Sequence, residues 1–251
     1  MISKNKISEI RKLHQKKFRD AERLFIVEGR KSVEMLLQSD FQIVELFATE
    51  EVYAQNRAML EQQPVTLVTP AEMERISALS TPPELLAIAR QRQDQGEVPD
   101  NEPLLVLDRI ADPGTMGTII RTADWFNFRH IVCSPDCVEF YNPKTIQATM
   151  GSFAHVQVHT QALVPFLRAR ADRHRILGAF LQGESIHNFA FQPTDIIVIG
   201  SESNGISPEV TALVTNPITI PTPATNRATA ESLNAAVATS IILYQASKSI
   251  Q

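Results

Sequence analysis

Residues 104–123 read LLVLDRIADPGTMGTIIRTA, and this stretch decides the fold. Its continuously apolar start, Leu104–Leu107, predicts a buried strand. A loop with two glycines, Asp112–Gly117, follows, and a helix is expected from about Thr118 to Phe126. Glycines let the backbone approach a ligand, and the loop leads into a helix N-terminus, which favours anions. The loop follows a strand, so it lies at the edge where open α/β sheets bind ligands.

The loop does not match the common nucleotide-binding sequences. It is not G-x-G-x-x-G, and no G-x-x-x-x-G-K-[ST] occurs in the chain, so dinucleotide and P-loop interpretations are weak. Arg121 lies one turn beyond Gly117, on a helix that is otherwise apolar. Two interpretations of Arg121 stay open at this point, a ligand contact and a surface salt bridge.

The rest of the second half alternates short strands with helices. The strands are apolar throughout rather than at every second residue, which is typical of a parallel sheet covered on both faces. The predicted strands are His130–Cys133, Ala154–Val158, Ile176–Leu181, Ile196–Gly200 and Ile218–Ile220, and the predicted helices are Lys144–Met150, Ala162–Ala171 and Glu231–Lys248.

The first ninety residues form a separate, smaller α/β pattern. The stretch between the two patterns, RQRQDQGEVPDNEP at residues 90–103, is polar and contains one glycine and two prolines, which is typical of a linker. We therefore predict a domain at 1–90, a linker at 91–103 and a domain at 104–251. The strands predicted in the first domain are Leu24–Val27, Ile43–Ala48, Val65–Val68 and Leu85–Ala89, and its helices are Gly29–Gln38 and Glu50–Glu61.

Composition excludes several classes of protein. The chain has 251 residues, of which 43% are hydrophobic and 21% charged, as in ordinary globular proteins. Its apolar stretches are far shorter than the ~20 residues of a membrane-spanning helix, and its start does not resemble a signal peptide. Two cysteines are too few for a disulfide framework. Reduced thiols of this kind are typical of a cytoplasmic protein, and we expect that location.

Charge is concentrated at the N-terminus. Residues 1–31 hold ten basic and four acidic residues, although the whole chain has a formal charge of −4. Ile7, Ile10, Leu13 and Lys17 lie near one face of a possible helix, and the basic residues surround that face. A basic helix that docks through a thin apolar stripe suits phosphate contact, whereas the alternative is a solvated helix that only aids solubility.

Two further loops carry polar residues in suggestive positions. Residues 199–208 read IGSESNGISP, which a ligand loop or a simple tight turn explains equally well. The third loop starts at Ile220-Pro221 and ends at ESLNAAVA, residues 231–238. Helix capping explains Ser232 there, but it leaves Asn234 less well explained.

These three loops, in this order, resemble motifs 1, 2 and 3 of the SpoU-type (TrmH-like) RNA methyltransferases of the SPOUT superfamily. Motif 1 is similar to Asp112–Ala123, motif 2 to Ile199–Ser207, and motif 3 to Ile220-Pro221 with Ser232–Asn234. The first domain resembles the small substrate-binding domain, related in fold to a ribosomal protein, that precedes many members. Its most similar stretches are FIVEG at 25–29 and PPELLAI at 82–88.

The resemblance implies a fold and an activity. It implies a ribosomal-protein-like α/β domain, followed by a parallel-sheet α/β methyltransferase domain with a C-terminal trefoil knot. It implies a homodimer that binds S-adenosyl-L-methionine in the knot and methylates a ribose 2′-hydroxyl of ribosomal or transfer RNA, with ribosomal RNA favoured. The alternatives are a catalytically weak RNA-binding or ribosome-assembly protein, and a methyltransferase-fold enzyme with a substrate other than RNA.

The resemblance also assigns residues to roles. Arg121 matches the proposed base of the family, with Glu202, Ser232 and Asn234 as partners. A guanidinium has a pKa above ~12, so its deprotonation near pH 7 costs roughly 7 kcal/mol. We therefore weigh a cationic role, gripping a phosphate and stabilising an alkoxide, at least equally. The residues expected to bind the cofactor are Leu181, Gly200, Ile220 and Leu233, and those expected to bind RNA are Lys12, Lys16, Lys17, Arg19 and Arg30.

Two positions depart from the family pattern. Thr115 stands where the family usually has asparagine, and Thr222-Pro223 stands where motif 3 often has Met-x-Gly. No metal is expected, because the six histidines form no ligand cluster; the alternating pair His155/His159 is more simply strand polarity.

Overall fold

A computed structural model describes residues 2–92, 96–222 and 231–249. The chain divides into two compact units. The first comprises Met1–Asp94 with Phe140–Ala154, and the second comprises Gln95–Glu139 with His155–Gln251. The third-motif stretch at 223–230, predicted to form a long Thr/Ala-rich loop, lies outside the described residues.

The elements follow the predicted alternation. The helices in the described residues are α1 (Lys4–Lys12), α2 (Lys16–Glu22), α3 (Arg30–Leu37), α4 (Glu50–Gln55), α5 (Arg57–Leu60), α6 (Pro70–Ile76), α7 (Pro113–Trp125), α8 (Pro143–Ala148), α9 (Leu163–Arg168), α10 (Pro208–Thr211) and α11 (Ala235–Ser247). The strands are β1 (Leu24–Glu28), β2 (Ile43–Ala48), β3 (Val65–Leu67), β4 (Leu85–Arg90), β5 (Leu104–Asp108), β6 (His130–Cys133), β7 (Gln157–Thr160), β8 (Ile176–Ser185), β9 (Ile196–Gly200) and β10 (Asn216–Thr219).

The first unit is built on a mixed four-stranded sheet of order β1-β4-β2-β3. Strand β4 is antiparallel to both its neighbours, and only β2 and β3 run parallel. Ile7, Ile10 and Leu13 are buried against this unit's core, as the apolar stripe predicts. Lys17 does not extend that stripe, because the basic segment breaks into α1 and α2 and Lys17 is exposed on the second helix.

Residues 140–154 pack in the first unit, although they lie between β6 and β7 in the sequence. The Phe153 ring meets Phe25 edge-on at 6.1 Å between centroids, and Tyr141 lies 4.7 Å from the same ring. The Tyr141 hydroxyl also accepts the backbone N–H of Arg92 at 2.9 Å. The compact units therefore do not follow the linear order of the predicted domains.

The second unit confirms the predicted parallel sheet. Six strands pair in the order β10-β8-β9-β5-β6-β7, and every pairing is parallel. All residues of β5 are buried, because helices cover both faces of the sheet. Helices α9 and α10 pack on one face, with Phe166, Leu167 and Val210 in its core. From β5 the chain continues first to β6 on one side and later to β9 on the other, which makes the carboxyl end of β5 a topological switch point.

Several element bounds differ from the prediction: the helix predicted at Glu50–Glu61 is split into α4 and α5, and β8 continues past Leu181 to Ser185. Two further differences have local reasons. Helix α7 begins at Pro113 rather than Thr118, because the Asp112 side chain accepts the N–H of Thr115 at 2.6 Å and caps the helix. Strand β7 begins at Gln157, since Ser152–Ala154 form a 3-10 turn that delays it.

Candidate functional site

The loop that follows β9 folds back on itself at the carboxyl edge of the sheet. Ser201 and Gly205 form an isolated antiparallel bridge, in which the Gly205 N–H donates to the Ser201 carbonyl at 2.9 Å. Gly205 has a φ of +61°, a region that favours glycine. A Cβ at Gly200 would collide with the backbone of Gly205 and Ile206. The loop therefore needs glycine at position 200 for its own closure.

Asn234 is the N-cap of α11. Its Oδ1 accepts the backbone N–H groups of Ala236 and Val237 at 3.0 and 3.3 Å. This corrects the sequence-based interpretation, in which Ser232 is the cap and Asn234 is left over. Ser232 lies two residues outside the cap and is exposed.

Thr115, Glu202 and Asn234 form a hydrogen-bonded cluster, which we call the motif triad. Glu202 Oε1 accepts the Thr115 hydroxyl at 3.2 Å and the Asn234 amide at 3.1 Å. The amide also lies 3.4 Å from the Thr115 hydroxyl oxygen. Because the Asn234 oxygen is engaged as the cap, its NH₂ group must face Glu202. The three predicted loops thus meet at one point, each contributing one member.

The threonine that departs from the family pattern is a member of this triad. Thr115 is buried, and its hydroxyl supplies the bond to Glu202. The sequence shows Thr115 as a departure from the family pattern but does not place it in the site. The signal in the sequence was Asp112, a helix-capping residue type three positions before Thr115, which puts Thr115 in the first turn of a helix at the ligand edge of the sheet.

Arg121 lies on the solvent face of α7, six residues beyond Thr115. Thr118 and Trp125 share that face, and Trp125 is 83% exposed. Within the described ranges, the Arg121 side chain makes no hydrogen bond or ion pair. Arg121 is therefore exposed to solvent, and its backbone lies about 9 Å along the helix axis from Thr115, at 1.5 Å per residue.

Of the residues expected to bind the cofactor, Gly200 and Ile220 lie at strand ends, whereas Leu181 lies inside β8, which continues to Ser185. Leu181, Gly200 and Ile220 come at or after the buried parts of β8, β9 and β10, and β8 lies between the other two strands. Leu181 is 74% exposed, and its carbonyl accepts the Thr219 hydroxyl at 3.1 Å. Leu233, just before the α11 cap, is also exposed. An adenosyl group needs backbone donors and acceptors together with apolar cover, and this edge offers both.

Three lysines of the predicted RNA-contact set, Lys12, Lys16 and Lys17, are exposed, and we call them the lysine group. The amines of Lys12 and Lys17 lie 5.7 and 4.7 Å from the centroid of the Phe18 ring. Arg30 is also exposed, but it pairs with Glu34 at 2.8 Å.

Arg19 is a correction to the predicted RNA-contact set. Its side chain is only 2% exposed, and its Nη1 donates to the Leu13 carbonyl at 2.8 Å. Burial lowers the pKa of Arg19 from its ordinary value. This arginine holds the turn between α1 and α2, so it is not available at the surface.

The two cysteines, which the sequence predicts only to be reduced thiols, are free and lie together beside the switch point. Cys137 Sγ accepts the N–H of Ile110 at 3.3 Å, and a hydrogen bond with Cys133 lowers the pKa of Cys137 to about 7. The same bond, together with burial, raises the pKa of Cys133. In the described part of the chain, no three His, Cys, Asp or Glu side chains gather as a possible metal site, and no helix is long and apolar enough to span a membrane.

The parallel sheet, its switch point and the meeting of three loops define an α/β protein with a ligand site at the carboxyl edge. Residues 102–244 match the SpoU rRNA Methylase family, and residues 4–87 match the MRM3-like substrate binding domain. The chain belongs to the SpoU rRNA methylase family, which confirms the resemblance drawn from the three motifs.

Relatives of known name or structure span the whole chain. The Bacillus subtilis 23S rRNA (guanosine(2553)-2′-O)-methyltransferase RlmP is 28% identical over 250 residues, covering 95% of this chain and 94% of its own length. A putative RNA methyltransferase of the TrmH family from Porphyromonas gingivalis is 35% identical, with a TM-score of 0.86 and 98% of each chain covered. An AdoMet-bound rRNA methyltransferase from Sinorhizobium meliloti is 27% identical, with a TM-score of 0.86, covering 100% of this chain and 97% of its own.

Proposed function

We propose that this protein transfers the methyl group of S-adenosyl-L-methionine to a ribose 2′-hydroxyl of ribosomal RNA. One observation carries the proposal: the motif triad joins all three motif loops at the carboxyl edge of the sheet, on the helix that presents Arg121 to solvent. Family membership and the named 2′-O-methyltransferase relative support the same activity.

In this proposal the cofactor binds beside Leu181 in the exposed part of β8 and at the ends of β9 and β10. S-adenosyl-L-methionine supplies an activated methyl group on a sulfonium. Backbone groups at Gly200 and Ile220 hold it, and the exposed Leu181 and Leu233 side chains cover it. A deep trefoil knot formed by the C-terminal segment is part of the proposal, because the family resemblance implies it.

Arg121 acts on the target ribose as a cation. Deprotonating a guanidinium near pH 7 is costly, whereas a planar charged fork grips a phosphate and stabilises a developing alkoxide at no such cost. Its lack of a partner among the described residues leaves its donors available for RNA. The hydroxyl proton then leaves to solvent or to a group of the RNA.

The motif triad positions rather than reacts. Glu202 keeps one carboxylate oxygen bonded to Thr115 and Asn234, so its second oxygen is directed by that pair. Since neither contacts Arg121 among the described residues, we assign Glu202 and Asn234 the role of orienting the ribose, with Ser232 as an exposed contact to RNA beside them.

The first unit, predicted as the domain at 1–90, binds the RNA substrate. The lysine group is exposed and lies on a segment of ten basic and four acidic residues, which suits the phosphate backbone. Arg30 adds a further exposed cation. The match to a substrate-binding domain over residues 4–87 supports this assignment.

The protein works as a cytoplasmic homodimer in this proposal, assembled through the second unit. Helix α11 is apolar on its outer face as well, because Val237 and Tyr244 are exposed while Leu243 and Ile242 are buried. A helix that is apolar all round is normally covered. A second copy of this chain supplies that cover, with Leu233 at the edge of the contact.

Mapping of 2′-O-methyl groups tests the activity. Cellular RNA from strains with and without this protein should differ at one ribosomal nucleotide, and the purified protein should restore that methyl group in vitro. Binding of S-adenosyl-L-methionine without any methylated RNA would favour a ribosome-assembly protein that retains the fold. No cofactor binding in calorimetry would refute the proposal.

A further inference from the structure

Arg109 adopts a backbone conformation that arginine rarely takes. Its φ is +60°, in the left-handed region, where a Cβ is disfavoured. Such a conformation persists only where neighbouring groups hold it. Here the Arg109 N–H donates to Ser134 Oγ at 2.9 Å. The N–H of the next residue, Ile110, donates to Cys137 Sγ, and the Ile110 carbonyl accepts the Val138 N–H.

The strained backbone directs the Arg109 side chain onto the loop that follows β9. Arg109 Nη2 donates to the Gly205 carbonyl in a long bond of 3.4 Å, and its Nε lies 3.8 Å from Asp108 Oδ1. Asp108 is itself buried, and its Oδ2 accepts the Ser207 N–H at 2.7 Å. Two adjacent residues at the end of β5 therefore hold residues 201–207 at two points.

That loop carries Glu202, the acceptor of the motif triad. Its tip is otherwise closed by the Ser201–Gly205 bridge and by a 3.3 Å bond from the Asn204 N–H to Ser201 Oγ. Nothing in those two bonds anchors the tip to the rest of the unit. The bonds from Thr115 and Asn234 anchor it at Glu202, and the contacts from Asp108 and Arg109 anchor the side of the loop that follows Glu202.

We propose that Arg109 is a positioning residue for methyl transfer: its guanidinium fixes the 201–207 loop so that Glu202 meets Thr115 and Asn234 in the productive geometry. The inference rests on the proposed function and goes beyond it, because Arg109 lies outside the residues that the three motifs assign. It acts through the loop and touches neither the ribose nor the cofactor. Asp108 holds the same loop through its backbone at Ser207.

Arg109→Gly separates the side chain from the backbone. Glycine adopts a φ of +60° without strain, so this variant removes the guanidinium while relieving the backbone. Asn127→Gly is the matched control. Asn127 has a φ of +62° and is exposed, but it lies before β6, at the opposite edge of the parallel sheet from Arg109.

Two readouts are measured on the full-length protein: backbone amide hydrogen exchange of residues 201–207, and methyl transfer to ribosomal RNA. Both glycine variants should keep or raise the melting temperature. Arg109→Gly alone should exchange faster in the loop and lose about tenfold in kcat, the effect of one charge-assisted hydrogen bond, at unchanged KM for RNA. Arg109→Lys keeps a charged donor, so its kcat and its loop exchange rate should lie between those of the wild-type protein and Arg109→Gly.

Wild-type kcat in Arg109→Gly, or unchanged exchange in the loop, would overturn the inference. Equal losses in Arg109→Gly and Asn127→Gly would overturn it too, because the effect would then follow the backbone. If the wild-type protein methylates no RNA, the proposed function fails. Hydrogen exchange still tests whether Arg109 holds the 201–207 loop. Loop exchange that is faster in Arg109→Gly alone then supports the positioning contact. Equal loop exchange in Arg109→Gly and the wild-type protein refutes it.

Discussion

Asn234 makes two kinds of bond, and a pair of substitutions separates them. Asn234→Ala removes the cap of α11, worth about 1 kcal/mol, and the bond to Glu202. The Asn234 and Glu202 side chains are exposed, so their hydrogen bond stabilises the fold by about 1 kcal/mol, which is less than a buried hydrogen bond to a charged group contributes. The free energy of unfolding should fall by about 2 kcal/mol in total.

Asn234→Asp keeps the cap and loses only the bond. Aspartate caps a helix as well as asparagine does, and its charge gains about 0.5 kcal/mol from the helix dipole. The free energy of unfolding should therefore fall by about 0.5 to 1 kcal/mol, including the repulsion from Glu202. At about 2 to 4 °C per kcal/mol for a chain of this size, Asn234→Ala lowers Tm by about 4 to 8 °C and Asn234→Asp by about 1 to 4 °C.

Adding Glu202→Gln to Asn234→Asp should return the lost stability. The glutamine amide then donates to the new carboxylate, so the bond re-forms with its direction reversed. Methyl transfer should stay low in the double variant, because the carboxylate no longer lies on the 201–207 loop. Thermal unfolding and a methyl-transfer assay on the four proteins decide the matter. Equal Tm losses in Asn234→Ala and Asn234→Asp would refute the cap, and no loss in either would refute the motif triad.

Three further predictions concern the cations and the thiols. Arg121→Ala should abolish methyl transfer while calorimetry still shows cofactor binding, and Arg121→Lys should stay nearly inactive at every pH; activity that rises with pH in the lysine variant would instead indicate a base. Replacing the lysine group with glutamine should weaken RNA binding at low salt and reduce the slope of log K against log[salt] by about 2 to 3, whereas Lys248→Gln, at an exposed lysine in the second unit, should change it by less than about 1. Iodoacetamide should label Cys137 with a rate that rises through a midpoint near pH 7, because its thiolate forms above its lowered pKa, and should leave the buried Cys133 unlabelled; mass spectrometry would count against this if the midpoint lay near pH 9.

The strands were predictable because their signal is local. The runs His130–Cys133 and Ile196–Gly200 are continuously apolar and end at polar or glycine residues, and both observed strands have the predicted bounds. Helix starts were less predictable, because they depend on which side chain reaches back to the backbone. Asp112 starts α7 before the predicted residue, and Asn234 rather than Ser232 starts α11.

The site was predictable loop by loop, but its internal contacts were not. The Thr115–Glu202 and Thr115–Asn234 contacts join residues 87 and 119 positions apart, which no periodicity encodes. The same limit applies to Arg109, since its importance comes from a positive φ and from a carbonyl 96 positions away. A resemblance of motifs brings the loops to one edge of the sheet, and only the structure shows which atoms meet there.

Neither the charge of a residue nor its position along the chain determines what it packs against in the fold. Arg19 counts toward the basic segment, yet it is buried and bonded to the Leu13 carbonyl. Tyr141 and Phe153 lie beyond the predicted linker, yet their rings pack on Phe25 of the first unit. A fragment that begins at residue 104 therefore lacks Phe25 and Phe41, the rings on which Tyr141 and Phe153 pack.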